Sequence, residues 1–84
     1  MSLQLMKYII IKGPITSMPI LFPSLISHDV MAKQVKHIGE PLSAGFVDLM
    51  DGRLSAYGKS SSLELKSRPE DSEIINRFLE EEDF

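Results

Sequence analysis

The stretch Leu5–Lys12, LMKYIIIK, constrains the fold most, because three consecutive isoleucines sit inside it. β-branched residues fit a pleated sheet better than a helix. Side chains alternate along a strand, so Tyr8 and Ile10 face one way, and Ile9 and Ile11 the other. Both faces are then apolar, which predicts a strand covered on both sides, or one that meets a second subunit. Gly13-Pro14 ends it.

With 84 residues, two independent cores would each fall near the ~40-residue floor for unassisted folding, so 1–84 reads as a single domain. Hydrophobic residues are 43% and charged residues 25%, which is globular composition and not that of a disordered chain. There is no cysteine, so disulfides, thiolate metal sites and cysteine nucleophiles are excluded together, in keeping with a cytoplasmic protein. The longest apolar run, Tyr8–Ile11, is far below the ~18–20 residues of a membrane span. Lys7 and Lys12 bracket that run, which is not the order of a signal peptide. Residues 1–5 read as disordered or vector-derived, with Met6 as a natural start.

A second strand is expected at Ile20–Phe22, bracketed by Pro19 and Pro23. Proline cannot donate to a ladder, so an edge position is favoured and the first two strands form a hairpin. Ser27 to Ile38 then reads as a helix. Ser27 is the N-cap, Asp29 sits in the first turn, and Ile26 and Met31 occupy the hydrophobic-staple positions. Val30, Met31, Val35 and Ile38 form its apolar stripe, His28 is a surface residue of the first turn, and Gly39 is the C′ residue.

Leu42–Met50 is a third strand, with Gly45 marking a bulge or a close backbone approach. Asp51-Gly52 is a hairpin turn. A fourth strand follows at Arg53–Tyr57, with a continuation at Leu63–Lys66 beyond the small polar interruption 58–62. Ser67-Arg68-Pro69-Glu70 reads as a capping box that starts a last helix, with Ile74, Ile75, Phe78 and Leu79 inward. Glu80 to Asp83 place acids at the wrong end of its dipole, so 80–84 is expected to fray. The predicted fold is α+β, in the order β-β-α-β-β-α, with an antiparallel sheet of about four strands packed against two helices.

Candidate chemistry is sparse. Gly58-Lys59-Ser60 imitates the end of a phosphate-binding loop, but the earlier glycine should stand at 53, where there is Arg53, and Gly52 is one position early. His28 and His37 are nine residues apart, about 180° around a helix, so they do not share a metal. No serine stands beside a base on a rigid frame. No catalytic, cofactor-binding or metal-ligating residue is assigned. Arg53, Lys59, Lys66 and Arg68 are the one basic concentration, a candidate anion or partner contact. The net charge of −3 weighs against nucleic acid as the partner.

Lys7-Tyr8-Ile9-Ile10, Ser43-Ala44-Gly45-Phe46-Val47 and Ser67-Arg68-Pro69-Glu70-Asp71 together resemble small bacteriophage- and prophage-encoded proteins of unknown function. The resemblance spans about Lys7 to Leu79. It implies a bacterial cytoplasm and a phage origin, and it carries no activity and no residue roles. The expectation is a small non-enzymatic accessory protein that acts by binding another protein. Self-association as a homodimer would bury the two-faced strand. The alternative is a nucleic-acid-binding regulator that uses the four basic residues.

Overall fold

The computed structural model describes residues 6–81. The expectations for 1–5 and 82–84 lie outside them. Strands β1 (Met6–Lys12), β2 (Ser17–Pro23), β3 (Pro41–Met50) and β4 (Arg53–Tyr57) form one antiparallel sheet in the order β2-β1-β3-β4. Helix α1 (His28–Gln34) follows β2, and α2 (Asp71–Glu81) closes the chain. The four-stranded α+β architecture is the one expected.

The two-faced strand β1 sits inside the sheet, and the helices lie on opposite faces of it. On one face Tyr8, Ile10 and Val47 pack with Ile75 of α2. On the other, Ile9, Ile11, Phe22 and Ala44 pack beneath Met31 and Ala32 of α1 and its C-cap residue Val35. Tyr8 and all three isoleucines are fully buried within the single chain. The first strand therefore supplies no reason for a second copy.

Local signals held at the turns. Asp51 and Gly52 both take positive φ, 53° and 78°, as a two-residue hairpin between β3 and β4 requires. Ser27 Oγ accepts from the Val30 amide at 3.4 Å and caps α1. Ile26 and Met31 both pack against the α1-side core.

Other details differ. β2 includes Pro19 and Pro23 instead of stopping between them. They pair across from Ile10 and Met6, so the missing donors belong on the outer side of this edge strand. The irregularity in β3 falls at Leu42, because Ile10 faces Ser43 and Ile11 faces Pro41. Gly45 serves the close approach instead: a Cβ there would lie 2.4 Å from the Tyr57 carbonyl oxygen.

Helix α1 stops at Gln34, and 35–38 are turns. The chain must return to β1 there: Lys12 N–H donates to Glu40 C=O at 2.9 Å, and a Cβ on Gly39 would lie 1.9 Å from the Lys12 carbonyl oxygen. Gly39 is needed for that approach, not for a left-handed cap. The inward stripe of α1 is His28, Met31, Ala32 and Val35, while Val30 is 47% exposed.

The supposed continuation of the fourth strand is a separate small hairpin, β5 (Lys59–Ser60) with β6 (Leu65–Lys66). Gly58, at φ 82°, turns the chain out of the sheet, and its carbonyl accepts from the Ser67 amide at 2.9 Å. Leu63 and Leu65 then pack on the α1-side core.

Helix α2 starts later than expected. The acid that reaches back is Asp71, whose Oδ2 accepts from the Arg68 amide at 2.9 Å, so the box is shifted one residue on, and Pro69 lies in the turn that leads into the helix instead of in its first turn. Ile75 is buried, Leu79 is exposed, and Ser72 and Asn76 face the outer edge of β4. Ser72 Oγ accepts from the Ala56 amide at 2.8 Å. Asn76 accepts from the Leu54 amide at 3.0 Å and donates to the Leu54 carbonyl at 2.7 Å. A helix thus satisfies an edge strand with side chains one turn apart. Asn76→Ala is expected to cost about 1–3 kcal/mol and to promote association through the freed edge. Chemical denaturation and light scattering would measure both; unchanged values would show that the edge does not depend on Asn76.

Candidate binding surface

The four basic residues do not form one patch. Arg53, at the start of β4, reaches Glu80 of α2 at 3.9 Å. Arg68 is tied to Asp71 at 3.0 Å and Glu70 at 3.6 Å. Only Lys59 and Lys66 come together, directly opposite each other on the β5–β6 hairpin. Gly58-Lys59-Ser60 belongs to that hairpin and leads into no helix, as the spacing indicated.

The densest polar chemistry is buried instead. Tyr8 Oη donates to Asp71 Oδ2 at 2.6 Å. Arg68 Nε donates to Asp71 Oδ1 at 3.0 Å, and the Arg68 amide to Oδ2. Ser43 Oγ faces the same carboxylate without a hydrogen bond of good geometry. Burial, then the bond to Asp71 and its charge, push the Tyr8 phenol well above its ordinary value. Burial pushes the Asp71 carboxyl up, but donation from Tyr8 and Arg68 outweighs it, and the group stays below the usual carboxylate range. A phenol held protonated against a carboxylate held ionised, both fully buried, is an anchor between β1 and α2. Proline-led chain entry at Pro69 brings Asp71 there, and the capping-box signal was the trace of it in the sequence.

His28 is the residue sequence reasoning misplaced. It is 5% exposed, and its Nε2 lies 2.9 Å from the Gly45 carbonyl oxygen. A carbonyl only accepts, so Nε2 carries hydrogen. Its ring meets Phe22 and Phe46 edge-to-face at 5.6 and 5.7 Å. The helical spacing 28, 31, 32, 35 held this information, because His28 opens the inward stripe.

The ring row continues from Phe46 to Tyr57, 5.9 Å away, and leaves the core there. Beyond the cover of α1, the far ends of β3 and β4 present Asp48, Met50, Ser55 and Tyr57 around an open depression. Met50 is 59% exposed and Tyr57 39%. Arg53, opposite Met50, borders the same face. Among the described residues, no three His, Asp or Glu side chains converge to hold a metal ion. Among them, too, no helix is long and apolar enough to cross a membrane. In comparisons with known proteins, no family model matches the chain, and no match was found among curated proteins or solved structures.

Proposed function

We propose that this chain is a non-enzymatic accessory protein of the phage or prophage type, and that it binds a protein partner on the uncovered face of β3 and β4. The observation that carries this reading is the Phe46–Tyr57–Met50 surface, with Tyr57 and Met50 open to solvent at the end of the sheet that α1 does not reach. Aromatic residues and methionine are enriched where proteins meet, and Asp48 and Arg53 give the rim both charge signs. Edge pairing is the less suitable mode, since Pro19 and Pro23 interrupt the donors of β2, and Ser72 and Asn76 occupy those of β4. The buried Tyr8–Asp71–Arg68 cluster suits a structural anchor better than an acid–base pair, since both reacting groups are out of solvent.

A photo-crosslinking residue placed at Ser55 tests the reading in the native host. The expected result is a covalent adduct to one protein, lost on Met50→Asp with Tyr57→Ala, while circular dichroism stays unchanged. A crosslinker at Lys36, on the far side of α1, should give no such adduct. Adducts to nucleic acid would overturn the reading in favour of the Lys59–Lys66 pair. Equal adducts from both positions, or none from Ser55, would also overturn it.

A further inference from the structure

His28 does more than fill space. Helix α1 has seven residues, and isolated helices shorter than ~12–15 residues are marginal in water, so it stays helical only while docked. Its docking contacts are His28, Met31, Ala32 and Val35, and His28 is the polar one. The imidazole enters where β2 contributes the Phe22 ring and β3 contributes the Phe46 ring and the Gly45 carbonyl. The charges acting on it are Lys7 of β1 and Asp29 of its own helix. Lys7 Nζ is fixed nearby, donating to the Ile26 carbonyl at 3.0 Å, just before the N-cap.

We propose that His28 is an acid-sensitive latch: in its neutral form it holds α1 on the sheet, and on protonation at Nδ1 it leaves the Phe22–Phe46 slot and releases the helix. An imidazolium in that slot would be a buried cation beside the Lys7 ammonium. Asp29, its carboxylate neighbour, is half-exposed and lies outside the Phe22–Phe46 slot. Burial, the largest influence, holds the His28 pKa below its ordinary value; the Gly45 carbonyl opposes this, Lys7 adds to it and Asp29 opposes it. With the docked-state value depressed, the released state takes the proton first. Docking is at full strength above about pH 6.5 and weakens as pH falls toward the docked-state value. Release would bare Ile9, Ile11, Phe22 and Ala44 and would withdraw one neighbour of Phe46.

Amide hydrogen exchange from pH 7.5 to 5, corrected for the intrinsic rate, reads the latch directly. Protection of α1 should fall by up to about tenfold per pH unit below the ordinary imidazole value, with β1 and β3 amides unchanged. The His28 ring resonances should titrate below the ordinary imidazole value. Gln retains an N–H donor but does not titrate, so His28→Gln should make α1 protection independent of pH in this range. Constant α1 protection in the wild type, titration of His28 at or above the ordinary imidazole value, or acid release persisting in His28→Gln would each overturn the proposal. If His28→Gln does not fold, the same exchange and titration in His37→Gln isolate His28 and decide the matter.

Discussion

Asp71→Ala should remove more than half of the chain's stability at room temperature. The carboxylate is fully buried and takes hydrogen bonds from Tyr8 Oη, the Arg68 amide and Arg68 Nε. Removing it strands a buried phenol and a guanidinium whose Nη2 already has no partner. Breaking one side of a buried charged pair costs about 3–5 kcal/mol, and the partial exposure of Arg68 places this site at the lower end. A domain of this size has about 5 kcal/mol to lose. Tyr8→Phe removes one hydrogen bond, leaves the ion pair, and should cost only about 1–2 kcal/mol. Because the folded-state pKa of Asp71 is depressed, its contribution is complete above the unfolded value near 3.9 and is lost as pH falls below it. Asp71→Asn should remove that part of the acid sensitivity. Urea denaturation at pH 7 and pH 3 would measure all three variants; equal costs for Asp71→Ala and Tyr8→Phe would show that the guanidinium is not held by this carboxylate.

Ile9→Ala and Ile10→Ala should each cost about 2–5 kcal/mol, since each empties a fully buried site. The two changes act on different layers. Ile10 packs on the α2 side with Val47 and Ile75, Ile9 on the α1 side with Phe22 and Ala44. Ile9→Ala should therefore raise amide exchange chiefly in α1, and Ile10→Ala in α2. Exchange rising equally in both helices for each variant would show that the sheet does not separate the two cores. Measured stability losses below about 1 kcal/mol would mean that the cavities collapse.

Much of this architecture was legible because local chemistry and tertiary packing agreed. The isoleucine run, the Asp51-Gly52 turn and the Ser27 cap each have a local physical cause that the folded chain keeps. The misses share one origin, in groups whose partners are distant in sequence. His28 looked like a surface residue because its acceptor, Gly45, is seventeen positions away. Gly39 looked like a helix cap because nothing local shows the Lys12 carbonyl. Asp71 finds Tyr8 sixty-three positions away, so a sequence scan sees only an acid at a helix start. The proposed surface was missed for the complementary reason. Phe46, Met50 and Tyr57 have the composition of core residues, and only the reach of α1 leaves Met50 and Tyr57 open.

The central place of β1 also bears on how the chain is made. This strand is synthesised before the rest of its sheet, yet its inner neighbour starts at Pro41 and one of its covers at Asp71. At about 5–20 residues per second, roughly 3–13 s separate the synthesis of Ile11 from that of Ile75. During that interval the nascent chain carries its most apolar segment without its final cover. A chaperone that binds apolar segments of nascent chains would find its docking segment at Tyr8–Ile11, and silent codon changes that slow translation between β3 and α2 would lengthen the exposure without altering the finished protein.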